Sequence, residues 1–199
     1  MEFRQVFKDY PQQAQRPIES YRFCPRCGGP LDLPSAGNPG RHQCSQCGYV
    51  LYRNPAPGIV VLLIDADKVL LGKRAGRVYR GGAWSLPGGF IEFDEDFLSA
   101  AHREIMEETG LLMRIQSLFT VVSNFLEPDL HTLVIVLSAV VIGGRLSPGD
   151  DMVELEWWPL SGPLPDMAFP ADAHVIESYH KTKMPGAPID PRFVTAEKR

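Results

Sequence analysis

Two sets of residues in this chain have the types and spacing to do chemistry. One is three glutamates, Glu104, Glu107 and Glu108; the other is four cysteines, Cys24, Cys27, Cys44 and Cys47. On a helix, Glu104 and Glu108 are i,i+4 and Glu104 and Glu107 are i,i+3, so the three carboxylates stack on one stripe. Like charges at that spacing cost about 0.2–0.5 kcal/mol per pair. Two of the three also lie toward the negative, C-terminal end of the helix, where acids are disfavoured. A hard divalent cation held by carboxylate oxygens offsets both penalties. Magnesium or manganese fits, because such ions keep waters and bridge to substrate phosphates. The alternative is a solvated charged face, with Arg103 paired to Glu107 at i,i+4. Pro87-Gly88-Gly89 stands before the helix, where a backbone carbonyl can reach the same ion, and Glu92 and Glu95 add acids nearby.

The cysteines read C-x2-C, then sixteen residues, then C-x2-C. This is the spacing of a four-thiolate zinc site, which closes a tetrahedral shell and leaves no position open for catalysis. Gly28 and Gly48 follow the two pairs, where the backbone turns with positive φ and brings amides to the sulfurs. Two disulfides are the competing reading, but the opening MEFRQVFKDY has no apolar h-region and predicts a chain that is not exported. A redox CxxC would not need a second, matching pair. The zinc holds together a segment, 21–53, too small to fold on a core of its own. That segment carries Arg22, Arg26, Arg41 and Arg53 against one acid, Asp32. It has no lysine and no dense basic cluster, which favours a scaffold or homodimer contact over nucleic-acid binding.

The elements that must position these residues follow from periodicity and punctuation. Ile59–Ile64 is an all-apolar run read as a buried strand, and Val69–Lys73 pairs with it across an Asp-Ala-Asp turn. Residues 75–82 are a loop rich in glycine and arginine, and Trp84–Leu86 is a short extended stretch. Asp94–Thr109 is a helix with Leu98, Ala101, Ile105 and Thr109 on its core side and Gly110 as the residue that ends it. Residues 113–122, 131–142 and 150–159 are strand-like, and Ala171–His180 is a second helix. Strand alternation divides Trp157 from Trp158, one inward and one toward solvent. Strands mixed with two helices predict one α/β domain whose helices cover a mixed sheet. The organisation is an arm over 1–20, the cysteine segment over 21–53, the α/β domain over 54–183 and a tail over 184–199.

Composition sets limits. Hydrophobic residues make up 44% of the 199 and charged residues 22%, enough apolar content for a real core. The longest uncharged apolar run, Leu133–Ile142, is about half of what a membrane-spanning helix needs. A net charge of −4 disfavours the whole chain as a binder of phosphate backbones. A cytoplasmic protein without a membrane partner is expected.

The residues then reach a family. Gly89, five residues, Glu95, seven residues, and Arg103-Glu104-Ile105-x-Glu107-Glu108-x-Gly110-Leu111 match the Nudix box, G-x5-E-x7-R-E-U-x-E-E-x-G-U, at every position, U being a bulky aliphatic residue. The chain resembles a Nudix hydrolase over about 57–181, and the layout of a zinc ribbon before a Nudix domain extends the likeness to about 21–181. The resemblance implies an α/β/α sandwich and attack of metal-activated water on a diphosphate linkage. It makes Glu104, Glu107 and Glu108 ligands of Mg²⁺ or Mn²⁺, with the Gly88 carbonyl as a further ligand. Glu95 supports the loop, and Arg103 orients loop and acids. The general base is open between Glu104, Glu108 and the downstream acids Glu127, Asp129, Asp150, Asp151 and Glu154. Arg74, Arg77 and Arg80 are candidate phosphate contacts, and Trp84, Phe90 and Phe125 candidate stacking partners for a base. The ribbon layout resembles NADH pyrophosphatases and a related group acting on FAD or ADP-ribose. The stretch Val121–Leu130 lacks the SQPWPFP-type motif of the NADH enzymes, which leaves ADP-ribose or FAD as leading substrates. The alternatives are a nucleoside triphosphate pyrophosphatase and a ligand-sensing nucleic-acid-binding regulator.

Overall fold

The computed structural model describes residues 6–8, 21–32, 41–127 and 130–195. Most of the 1–20 arm, the turn-rich loop 34–40, Asp129 and the last four residues lie outside them. The chain forms two compact units. One holds Pro57–Asn124 and residues 132–195; the other holds residues 21–32, 41–56 and the ends of a hairpin at 125–127 and 130–131.

The strands in chain order are β1 (Val6–Lys8), β2 (Leu31–Asp32), β3 (His42–Cys44), β4 (Val50–Leu51), β5 (Ala56–Asp65), β6 (Lys68–Arg74), β7 (Trp84–Ser85), β8 (Leu111–Glu127), β9 (Leu130–Gly144), β10 (Met152–Pro159) and β11 (Ala187–Pro188). The helices are α1 (Phe97–Thr109) and α2 (Pro170–Thr182). In the larger unit the sheet runs β1-β8-β9-β5-β6-β10, with β7 on β6 and β11 on β8. The β5–β6 hairpin turns at Asp65-Ala66-Asp67-Lys68, as the sequence predicts, with Ile64 opposite Val69.

One face of the sheet packs Ile59, Val61, Leu63, Leu70, Met113, Ile115 and Leu137 against Ala100, Ala101 and Ile105 of α1. The other packs Leu62, Val69, Leu71, Val122, Val134 and Val136 against Ala171, Val175 and Ile176 of α2. This is the expected α/β/α sandwich. It corrects the reading of the tryptophan pair. Trp157 and Trp158 do point to opposite faces, but both are packed, Trp157 against the α1 core and Trp158 against the α2 core. Alternation separates inside from outside only where one sheet face meets water, and here helices cover both.

Helix α1 starts later than its acidic approach suggests. Asp96 is its N-cap, accepting from the amides of Leu98 (2.9 Å) and Ser99 (3.0 Å), so Asp94 and Glu95 stay in the loop. Gly110 ends it with φ 68°, as expected. In the smaller unit β2-β3-β4 form an antiparallel sheet over a core of Cys24, Leu31 and Cys44, flanked by Tyr49 and Leu51. Such a core is too small to hold a fold without a cross-link.

Candidate active site

The site begins with the segment Trp84–Gly89. Its odd-numbered carbonyls face β5: Val61 donates to Pro87 O and Ile59 to Gly89 O, both at 2.9 Å. Its even-numbered amides face away from β5. Trp84 N–H donates to Asp166 O (2.8 Å), Leu86 N–H to Asp172 Oδ2 (2.9 Å) and Gly88 N–H to Glu108 Oε2 (2.7 Å). Gly88 has φ 144°, and a Cβ there would lie 2.7 Å from Val60 Cα, against fixed backbone. A Cβ on Gly89 would lie within 2.7 Å of all three atoms of the Glu104 carboxylate. Both glycines let the loop press against β5 and the α1 acids at once.

Helix α1 sorts its three glutamates. Glu104 and Glu108 are buried, 8% and 3% exposed, while the Glu107 side chain is 48% exposed. The spacing on α1 is as expected, and the three acids differ in exposure, which spacing does not show. Among the described residues, the four cysteines are the only group of three or more potential ligands with donor atoms within 4.8 Å of one another. Two partners hold the acids: one Arg103 nitrogen bonds both Glu104 and Glu107, and the Gly88 amide bonds Glu108. Arg103 also bonds Glu95 (2.5 and 3.1 Å) and Phe90 O (3.1 Å), besides Glu104 (2.8 Å) and Glu107 (3.1 Å). One guanidinium thus ties the pre-helical loop to two of the three acids. This bonding holds the Glu95 carboxyl below its usual range.

Burial pushes the Glu108 carboxyl up to about 8, with the charges of Glu104 and Asp150 adding to the rise and the Gly88 amide and Arg74 opposing it. Burial also raises Glu104, against the pull of Arg103. Two desolvated carboxylates with an excess of negative charge and hard oxygen donors suit a hard divalent cation. Asp150 is the downstream acid whose charge reaches both Glu104 and Glu108. Its loop is tied to α1 by Gly149 N–H on Glu108 O (3.0 Å), and Asp150 itself sits at φ 46°. Asp151 pairs instead with Arg77, and Glu154 with Lys73. Glu127 is exposed at the end of β8, in the smaller unit.

The substrate candidates divide as well. Arg74 donates to Tyr79 O (2.8 Å), lies 5.1 Å over the Phe169 ring, and places its charge near Glu108. Arg77 reaches Asp150 O and Asp151 Oδ1, and Arg80 pairs with Asp166. Phe90 is exposed at 52%, with an open ring. Trp84 is a correction: at 9% exposed it packs edge-on to Trp158 inside the α2 core, so its ring is not open to stack on a base.

Asp172 is the residue that sequence reading missed. It is an acid in the first turn of α2, 4% exposed, which burial pushes up to about 7 against the Leu86 amide and Arg74. The signal was present as Phe-Pro-Ala-Asp at a helix start, but only the fold turns that acid inward. Because its folded value lies above its ordinary 3.8, the folded chain holds a proton that the unfolded chain has released between pH ~4 and ~7. Its contribution to stability is complete below pH ~4 and is lost as pH rises through ~7. Denaturant titrations across that range are expected to show stability falling with pH, and Asp172→Asn to flatten the fall. An unchanged slope in the variant would contradict this assignment.

In the smaller unit the cysteine sulfurs lie 3.7 Å (Cys24–Cys47) and 3.6 Å (Cys27–Cys44) apart. Tetrahedral zinc with Zn–S bonds of about 2.3 Å places its sulfurs about 3.8 Å apart, close to what is seen. Arg26 N–H and Gly29 N–H approach Cys24 Sγ and Cys27 Sγ at 3.4 Å, and Gly28 and Gly48 have φ 74° and 72°, as anticipated.

Comparison with known proteins agrees with this geometry. Residues 54–179 match the NUDIX domain family, and residues 22–53 match the Nudix N-terminal zinc-ribbon family. The chain belongs to the Nudix family. It is 39% identical over 136 residues to the ADP-ribose pyrophosphatase of Methanocaldococcus jannaschii, covering 68% of this chain and 79% of that one. It is 31% identical over 158 residues to the NAD-capped RNA hydrolase NudC of Chromobacterium violaceum, covering 79% of this chain and 57% of the relative. It thus spans little more than half the length of that enzyme. A NUDIX hydrolase from Nitrosomonas europaea superposes with a TM-score of 0.71 at 28% identity, covering 84% of this chain and 95% of that one. A Nudix hydrolase with a four-cysteine ribbon segment is therefore the frame for Glu104 and Glu108. No helix among the described residues is long and apolar enough to cross a membrane.

Proposed function

We propose that this chain is a pyrophosphohydrolase that cleaves the diphosphate linkage of an ADP-ribose-type nucleotide. The observation that carries the reading is the pair of buried carboxylates, Glu104 and Glu108, facing the Gly88-Gly89 loop with Arg74 beside them. In this reading Glu104 and Glu108 hold Mg²⁺ or Mn²⁺, with Glu107 and the Gly88 carbonyl as further ligands. The bound cation supplies an acidified water and neutralises charge on the diphosphate. Arg103 fixes the acids and the loop by five hydrogen bonds that span Phe90, Glu95, Glu104 and Glu107. Arg74 and Arg77 supply positive charge to the phosphates, and Phe90 offers an open ring to the base. Asp150 is the downstream acid favoured as general base, since its charge reaches both box acids. Zn²⁺ on Cys24, Cys27, Cys44 and Cys47 serves structure alone, and four cysteines with no disulfide among them fit a reducing, cytoplasmic setting.

A panel of ADP-ribose, FAD, NADH and nucleoside triphosphates with Mg²⁺ tests the substrate class. ADP-ribose is expected to give AMP and ribose 5-phosphate at the highest kcat/KM. Faster release of pyrophosphate from a triphosphate would overturn the reading. A second reading has its own support. The ribbon exposes Tyr21, Phe23 and Tyr52, with the Arg41 guanidinium 4.7 Å over the Tyr52 ring, the mixture of aromatic and cationic side chains that suits single-stranded nucleic acid. NAD-capped RNA, the substrate in the names of several relatives, is the substrate that would use it. A capped oligonucleotide cleaved more efficiently than ADP-ribose would select this second reading. No turnover of any substrate, with tight salt-sensitive RNA binding, would select a regulator.

A further inference from the structure

The even-numbered amides of Trp84–Gly88 line one edge of an extended segment that, among the described residues, is bridged by Met167 at Trp84 and paired with no strand beyond it. Two carboxylates complete that edge. Leu86 N–H goes to Asp172 of α2 at 2.9 Å and Gly88 N–H to Glu108 of α1 at 2.7 Å. The two amides are two residues apart in an extended chain, so the carboxylates they bind sit about 7 Å apart along the edge. Arg74 lies close enough to act on both acids. Pro87, between the two amides, has no N–H to donate, and its carbonyl is taken by Val61. The loop that faces the box acids is thus held on three sides, by β5, by α1 and by α2.

We infer that Asp172 is a positioning residue for the hydrolytic site: by accepting the Leu86 amide it sets the register in which the Gly88 amide meets Glu108. The acid does not touch substrate. Its hydrogen bond anchors the first turn of α2 to the loop, while Ala168 N–H on Trp84 O (2.7 Å) anchors the residues just before that helix. An acceptor is what the geometry demands; a negative charge is not. Asparagine keeps an acceptor oxygen at the same reach, and alanine removes it. The kinetic part of the inference rests on the hydrolase reading above; the structural part does not.

The test reads amide hydrogen exchange in the chain without added metal or substrate, then steady-state kinetics on the best substrate of the panel. In the wild type and in Asp172→Asn, the Leu86 and Gly88 amides are expected to be protected alike. In Asp172→Ala, both are expected to lose protection by about tenfold or more, although only Leu86 has lost its partner. kcat is expected to fall at least about tenfold in Asp172→Ala with KM within about threefold, and to return to within about threefold of wild type in Asp172→Asn. Loss of protection at Leu86 alone would overturn the inference, as would a kcat in Asp172→Asn lower by about tenfold or more. Should Asp172→Ala not fold, the asparagine variant still decides, since unprotected Gly88 or a lost kcat there contradicts the acceptor role. Exchange needs no substrate, so failure of the positioning role and failure of the hydrolase reading give separate signatures.

Discussion

Glu108→Gln is expected to slow diphosphate hydrolysis about a thousandfold, or about 4 kcal/mol of barrier, while the chain stays folded. The reasoning joins burial to charge. Glu108 is 3% exposed and is pushed up to about 8 by that burial, so an ionised Glu108 is a cost to the folded chain unless a cation sits against it. Glutamine has nearly the same volume and still offers an oxygen to the Gly88 amide, so packing and loop register survive. What it removes is the negative charge that a divalent ion needs. Stability of the metal-free variant is therefore expected to equal or exceed that of the wild type, with activity all but gone. Glu107→Gln should do less, because that carboxylate is exposed and shared with Arg103. Thermal unfolding beside kcat measurements checks both halves. More than about a tenth of the wild-type rate in Glu108→Gln would remove this residue from the metal set.

Zinc removal carries the second large effect. Among its described residues the ribbon has Cys24, Leu31 and Cys44 as buried apolar residues, two of them metal ligands in this account. Structural zinc contributes about 10–16 kcal/mol of apparent binding energy at neutral pH, far more than one leucine and the flanks of Tyr49 and Leu51 supply. Chelation, or Cys24→Ser together with Cys44→Ser, is expected to open 21–53 to proteolysis while a fragment covering the Nudix match, 54–179, persists. Protease resistance of the ribbon unchanged by chelation would mean that its fold does not depend on metal.

What the sequence disclosed and what it withheld differ by range of interaction. The box acids, the Gly110 terminus, the positive-φ glycines after each cysteine pair and the β5–β6 turn depend on neighbours within a few residues, and spacing exposes them. Burial at Trp84, Glu104 and Asp172 depends on which distant element covers each residue, and a single sequence shows no such partner. The start of α1 shifted for a local reason that pattern reading overlooked: Asp96 satisfies two helix amides better than Asp94 could. Strand β8 runs from Leu111 to Glu127, longer at both ends than the expected 113–122, and its burial pattern changes phase midway. Inward positions are odd-numbered through Ser117 and even-numbered from Val122, so the expected range 113–122 takes in the change of phase but not the second alternating run that continues to Glu127. Among the substrate candidates, arginine type and loop position pointed to Arg74, yet the reach of its charge to both Glu108 and Asp172 is a tertiary fact.

The most direct measurement is uptake of Mn²⁺ by the purified chain, followed by the spin-resonance signal of the free ion, in the wild type and in Glu104→Gln with Glu108→Gln. The account predicts that the wild type withdraws Mn²⁺ from solution and that the double variant, equally folded, does not. Equal uptake by both proteins would place the catalytic cation elsewhere and contradict the assignment on which the proposed hydrolysis is built.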